Sequence, residues 1–532
     1  MHRRVMKHQV TKHQVMKRQM TKRRALRSTL AAIGGSALIA GCTVGPNFVQ
    51  PDSNLPEASF QGDKGQSVAR ARVPTPTDPT WWRVFRDPVL TNLEQQVAAA
   101  NLDVRTATIR LAESRFQRGA TASALFPSLN GDAKYTRELY SQNGIVGLIT
   151  PLAPAGFSVG AINDYNTGFD ASWELDLWGK VRRQVESADA QVDQAADQRR
   201  DALVSSLAEL ARDYIQLRGV QTQIKIATDN LKVDRDILTL AQQRQQRGVQ
   251  NGLDVENAAA QVEAVRAQIP QLQQDESLDI NALSLLLDEP PGTLRSMLGV
   301  QTSVRTGPPR IPLGIPSELA RRRPDIRAAE DQLHAATATI GVAVGDFYPS
   351  VQLNGTVGFD ALDIKKLYDA SSLQYNFGPS VSLPIFAGGR LRSTLELREA
   401  QQQEAAIAYR KTVLQAWHDV VNALVSHRLE MARRARLRAE SDHASAALDL
   451  ARARYNDGVA DFLTVLDAER TLISAEQQYA TSTTNVALDL VQLFKALGGG
   501  WETAFPDVPS ETAAVPVPGI AVDAALMLPH PQ

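Results

Sequence analysis

The chain has a single cysteine, Cys42, in 532 residues. One thiol can neither close an internal disulfide nor build a cysteine-based metal centre. Of eight histidines, His2, His8, His13 and His530 lie at the chain ends, and His334, His418, His427 and His443 show no tight ligand spacing. Only Met297, Met431 and Met527 follow Cys42, so nothing points to soft-metal handling. No GxSxG, phosphate-binding loop or GxGxxG is present. With no site for chemistry, an enzyme is not expected, and no metal or other cofactor is called for. Nor does any run of 18 or more apolar residues follow Cys42, so no transmembrane helix is expected. Aromatic residues make up only 6%, against 43% hydrophobic overall. That balance suits extended helical surfaces better than one thick core. Acid is missing from residues 1–41, which hold ten Lys and Arg; the remaining 491 residues carry 47 bases against 58 acids. An acidic body gives no reason to expect a nucleic-acid partner.

Residues 1–24 repeat a basic five-residue unit (VMKHQ, VTKHQ, VMKRQ, MTKRR), and Met16 or Met20 could serve as the start. Leu26 to Gly41 is a short apolar stretch ending Leu38-Ile39-Ala40-Gly41-Cys42. A basic n-region, a short apolar segment and small residues before a cut describe a secretory signal. A cysteine directly after them resembles a bacterial lipobox, whose thiol takes a diacylglycerol and whose freed amine takes a further acyl chain. Thr43, rather than Asp, follows it, which implies delivery to the outer membrane.

The rest of the chain is written twice. Asn101-Leu102-Asp103-Val104-Arg105 precedes Phe126-Pro127-Ser128 as Arg323-Pro324-Asp325-Ile326-Arg327 precedes Tyr348-Pro349-Ser350. Farther on, Arg247-Gly248-Val249 with Leu253 and Val255 matches Asp457-Gly458-Val459 with Leu463 and Val465. Each copy reads helix, strand, loop, strand, long helix, turn, helix. The resulting division is a signal peptide at 1–41, an acylated extended segment at 42–89, a first repeat at 90–300, a second at 301–500 and a flexible Pro/Ala-rich tail at 501–532.

Four segments alternate with period two: 128–140 and 165–177 in the first copy, 350–360 and 375–386 in the second. In 165–177 Tyr165, Phe169, Trp173 and Leu175 alternate with Asn166, Asp170, Glu174 and Asp176. Period two with one apolar and one polar face is the pattern of a two-sided sheet, and outer-membrane barrels use such segments of about ten residues. Long helices are expected at 181–247 and 391–456; the first holds one glycine and no proline, the second neither. Gly248 and Gly458 end them as C-cap glycines do. Antiparallel partners follow at 253–287 and 461–497, with Pro270 expected to kink the first. Their Ala, Leu and Val seams among Gln and Arg suit coiled-coil packing.

A four-stranded sheet in a bilayer has two open edges and must close. Two copies give an eight-stranded barrel and three give twelve. A barrel of eight is filled by side chains, and the small polar face here favours a wider channel built from three chains.

Several motifs in order resemble the TolC/OprM-like outer membrane factors, specifically their lipoprotein branch, which serves multidrug efflux. They are Cys42-Thr43-Val44-Gly45-Pro46-Asn47-Phe48, Trp81-Trp82-Arg83-Val84-Phe85, Ala453-Arg454-Tyr455-Asn456-Asp457-Gly458-Val459, Val465-Leu466-Asp467-Ala468-Glu469-Arg470 and Leu493-Phe494-Lys495-Ala496-Leu497-Gly498-Gly499-Gly500-Trp501. The resemblance implies an α+β membrane protein: a homotrimer with a 12-stranded β-barrel on a 12-helix α-barrel. It also implies a lipid anchor in the outer membrane of a Gram-negative cell, with the helices in the periplasm. The implied partners are outer membrane lipid, a periplasmic adaptor (membrane fusion protein) and an inner-membrane RND-type transporter, and the implied role is a passive exit duct for drugs or other small molecules. The alternatives are a type I secretion or metal-efflux duct, or a structural periplasmic coiled-coil lipoprotein. By the same resemblance Asp254 and Tyr455 hold the hairpins together, Leu463 and Asp467 form apolar and acidic rings at the periplasmic aperture, and Gly248, Val249, Gly458 and Val459 sit at the adaptor-contacting tips. Ala460 stands where some members place an Arg in an intersubunit salt bridge. For the lipobox the expected outcome is direct: Cys42→Ser abolishes radiolabelled fatty-acid incorporation and slows signal removal, and undiminished labelling would refute it.

Overall fold

The computed structural model describes residues 43–52, 79–141, 160–248, 251–300 and 322–507. They fall into two compact units: one comprises the described parts of 43–52, 108–197 and 325–414, the other those of 79–107, 198–324 and 415–507. The signal peptide, Cys42, Val249 and the tail beyond 507 lie outside the described residues.

The elements in order are α1 (Pro88–Ala100), α2 (Leu102–Ala122), β1 (Ser128–Glu138), β2 (Ile162–Leu175), α3 (Lys180–Gln246), α4 (Gly252–Leu286), α5 (Pro324–Gly345), β3 (Ser350–Ala361), β4 (Leu373–Ser382), α6 (Arg390–Asn456) and α7 (Phe462–Ala496). The long helices α3 and α6 each have 67 residues, and α4 and α7 each have 35. Helix α4 runs without interruption through Pro270. Strand β2 starts at Ile162, three residues before its apolar alternation becomes regular. Strand β4 stops at Ser382 rather than near 386, because Pro384 lacks the N–H that a ladder needs.

The first unit holds one antiparallel sheet in the order β1-β2-β3-β4. Its register keeps the two faces chemically distinct. Tyr135 pairs with Tyr165, Phe169 with Val357, and Val357 with Tyr375 on one face. Asn130 pairs with Asp170, Ser172 with Asn354, and Thr356 with Asn376 on the other. The apolar face is bare: Leu129, Phe169, Tyr375, Phe377 and Val381 are all exposed. In the middle of the sheet Gly168 pairs with Gly358. A Cβ at Gly168 would stand 2.7 Å from the Val357 carbonyl oxygen and 2.9 Å from the Gly358 Cα.

Below β2 the chain turns into α3 through Asp176, whose carboxylate accepts the Val181 and Arg182 amides at 3.0 Å each. Gly179 in this turn has φ +77°. The segment after Cys42 docks here: the Val44 N–H donates to the Trp178 carbonyl at 3.0 Å. Arg183, buried, donates to the Val44 carbonyl at 3.1 Å and to Asn47 Oδ1 at 2.6 Å. Phe48 stacks on His334 with ring centroids 4.4 Å apart.

The second unit is built round the Trp81–Phe85 turn, whose Trp81, Trp82 and Phe85 are buried against Leu207, Tyr214 and Leu217 of α3, Leu283 of α4 and Phe494 of α7. Trp81 stacks on Phe494 at 5.2 Å. Asp87 caps α1 through the Val89 amide at 2.9 Å and accepts the Tyr214 hydroxyl at 2.6 Å. Asn101 caps α2 through the Asp103 and Val104 amides and donates to the Leu286 carbonyl at 3.0 Å, joining the two ends of the first repeat.

The crowding at the sheet centre has a measurable consequence. Gly168→Ala should lower folded-state stability by about 1–3 kcal/mol, the usual cost of overpacking. Gly378→Ala, at a site with nothing within 4 Å of the added carbon, should cost much less. Urea unfolding of the detergent-solubilised chain, followed by tryptophan fluorescence, checks the difference.

Candidate functional site

The tips of the two helical hairpins gather most of the singled-out residues. Helix α3 ends in Gly248, at φ +71°, whose N–H donates to the Gln245 carbonyl at 2.9 Å. Helix α6 ends in Gly458, at φ +74°, with the Gly458 N–H on the Tyr455 carbonyl at 3.1 Å and the Val459 N–H on the Arg454 carbonyl at 2.9 Å. A left-handed glycine reverses the chain at no steric cost, so both hairpins turn within a few residues. The partner helices restart on side-chain caps. Asn251 accepts the Asp254 amide at 3.1 Å, and Asp461 accepts the Thr464 amide at 3.0 Å and its hydroxyl at 2.6 Å. The Thr464 hydrogen bonds hold the Asp461 carboxyl below its ordinary range.

The hairpins pack through a shared cluster of Ala241, Ala258, Leu448, Ala451, Tyr455, Phe462, Val465 and Leu466, which draws on α3, α4, α6 and α7. Tyr455 is buried in it. The Arg244 guanidinium lies 4.0 Å above the Tyr455 ring and donates to the Tyr455 carbonyl at 3.4 Å. Phe462 meets the same ring edge-on at 5.9 Å. A cation over an aromatic face contributes about 0.5–2 kcal/mol depending on exposure. Asp254 is half-buried in the first turn of α4, one turn before Ala258. Ala258 is a member of the same cluster as Tyr455.

Leu463 and Asp467, four residues apart, share one face of α7 and are exposed, Leu463 by 52%. The opposite face carries the buried row Phe462, Val465, Leu466 and Glu469. The two residues assigned to the aperture thus point away from the seam between the hairpins. Val459 is exposed at the tip.

Three participants were not singled out in the sequence. Arg244 clamps Tyr455, and Asp234 and Glu469 are buried charged residues at 2% and 3% exposure. Glu469 had a legible signal: it falls seven residues after Phe462 and three after Leu466, on the apolar stripe, where a carboxylate is out of place. Asp234 carried the same signal, three residues after Leu231 and four before Leu238 on an apolar stripe of α3, but its partner is 235 positions away in sequence. Among the described residues no cluster of His, Cys, Asp and Glu could hold a metal ion, and no helix is long and apolar enough to cross a membrane.

Comparison with known proteins places this geometry in a family. The model of the outer membrane efflux protein family matches residues 93–288 and 315–499. A probable efflux pump outer membrane protein, SepC of Pseudomonas putida, is 31% identical over 482 residues, covering 90% of this chain and 98% of that protein. The probable outer membrane lipoprotein SilC of Salmonella typhimurium is 29% identical over 482 residues, 89% of this chain and 98% of that one. The solved outer-membrane channel OprN superposes with a TM-score of 0.77 at 34% identity, over 87% of this chain and all of that one. The matches cover both hairpins and all four strands, and the chain belongs to the outer membrane efflux proteins.

Proposed function

We propose that the protein is the outer-membrane exit duct of a tripartite efflux system, a homotrimer that passively conducts small molecules delivered by an inner-membrane RND-type transporter through a periplasmic adaptor. The observation that carries this reading is the sheet. Its apolar face is exposed, its polar face is lined with Asn, Ser, Thr, Asp and Gly, and β1 and β4 each leave an outer edge without a strand partner among the described residues. Joining β1 of one copy to β4 of the next satisfies those edges, and three copies close a 12-stranded barrel wide enough for water. The helical hairpins of three copies would supply the twelve helices of a tube in the periplasm.

In this assembly the exposed face of α7 turns inward, so that three Leu463 side chains and three Asp467 carboxylates ring the periplasmic aperture. A carboxylate ring draws cations, and an apolar ring keeps a narrow pore dry. Tyr455, bonded to Asp254, ties the hairpins together in the shut state, and the turns at Gly248, Val249, Gly458 and Val459 present the tips to the adaptor. The amino-terminal lipid sits on Cys42, one residue before the segment that packs on Gly179.

Light scattering of the protein in detergent, corrected for bound detergent, should give three times the 58.0 kDa chain mass, less the removed signal. A monodisperse monomer would refute the closure argument. In planar bilayers, Leu463→Ala should raise single-channel conductance, and Asp467→Ala should weaken the cation preference. Tyr455→Phe should shift the open-to-closed ratio by roughly fivefold, the equivalent of one hydrogen bond of about 1 kcal/mol. Parental conductance and selectivity in all three variants would place the aperture elsewhere.

A further inference from the structure

Just beyond the tip cluster the two hairpins are joined by a second contact of a different kind. Asp234 of α3 and Glu469 of α7 are both buried, and their carboxyls interact across the seam. The groups round them come from all four helices. Arg452 of α6 donates to Glu469 Oε1 at 3.3 Å, and Arg470 of α7 holds Gln261 of α4 at 3.1 Å beside Asp234. Gln261 also reaches Asp234, yet the donors stay fewer than two carboxylates need: Glu469 Oε2 and both Asp234 oxygens are buried without a well-formed hydrogen bond. Two carboxylates cannot satisfy each other, since both only accept. One proton supplies what is missing, turning a repulsive pair into an O–H···O⁻ bond, which is short and strong.

We propose that Asp234 and Glu469 form a proton-bridged latch between the first and second hairpins, which holds the tips together while the shared proton is present and releases them when it is lost to solvent. These are positioning residues for the gate, and the inference rests on reading the hairpin tips as that gate. The electrostatics agree in direction. Burial, followed by the nearby Asp234 charge, pushes Glu469 up to about 8 against the pull of Arg452, and burial raises Asp234 as well. The packed tip therefore binds a proton more tightly than an opened, hydrated tip, in which a glutamate returns to its ordinary range of about 4. Below that lower value both states are protonated and pH has no effect. Between it and about 8 rising pH favours opening, and above about 8 the effect levels off.

Hydrogen exchange of the full-length protein in detergent, corrected for the intrinsic pH dependence of amide exchange, reads this opening directly in 230–248, 251–262 and 448–472. The expected result is an opening constant that climbs by up to about tenfold per pH unit between pH 5 and 8. Glu469→Gln keeps a permanent donor between the two side chains and should flatten that climb, and Asp234→Asn, which removes the like charge but leaves Glu469 buried, should shift its upper end to lower pH. A flat parental profile, or an unchanged slope in both variants, overturns the latch. Bilayer conductance measured on the same preparations separates the two readings: a conducting protein with flat exchange loses the latch and keeps the duct, and pH-dependent exchange without conductance keeps the latch and loses the duct.

Discussion

A peptide N–H or C=O left unpaired in hydrocarbon costs several kcal/mol, and the four-stranded sheet exposes a row of such groups along each edge. Everything else about the molecule is compatible with that requirement. The register sorts apolar from polar residues strand by strand, so that a closed sheet would offer one face to lipid and the other to water. The same sheet in water alone would be a liability, with large side chains such as Tyr375 and Phe377 bare. The outer membrane location of this family is thus written into the faces of its strands.

The helical part answers a different demand. The hairpin seam is thin, made of Ala, Val and Leu with a few aromatics, and its strongest contacts are concentrated where the chain reverses. Helix α3 also packs into the thick core around Trp81 and Trp82, while α6 packs Val420 and Ala423 on Leu493 and Ala496 of α7. The tips are held by their own small apolar cluster and by a few separable contacts: a guanidinium over a phenol ring, an aromatic edge and a buried pair of carboxyls. Such contacts can be broken one at a time without unfolding the helices that carry them.

Much of the fold was legible because its signals are local. Alternation placed four strands within a few residues of their observed ends, and Gly248 and Gly458 marked the two reversals. The end of β4 was misplaced because apolar alternation continues through Leu383 and Ile385 after Pro384 has ended the ladder. The candidate site was readable only in part. Leu463 and Asp467 emerged through family resemblance, and their shared exposed face on α7 follows from spacing of four. Arg244 stayed hidden because it acts on a residue more than 200 positions away, and Asp234, legible on its apolar stripe, could not be paired for the same reason. An Arg in a polar helix stripe reads as a solvated charge until the phenol ring beneath it is seen.

The glycine pair at the sheet centre sets a constraint on how this chain can change over generations. Gly168 belongs to the first repeat and Gly358 to the second, and each lies with its Cα at 2.9 Å from where the other's Cβ would be. Neither position has a smaller residue to retreat to, so enlargement at one cannot be offset by a substitution at the other. The two halves of the sequence are free to drift apart along most of their length, but at this crossing they are bound to the same letter. The crowding comes from main chain, the Val357 carbonyl against Gly168 and the Thr167 carbonyl against Gly358, so changing the neighbouring side chains does not relieve it.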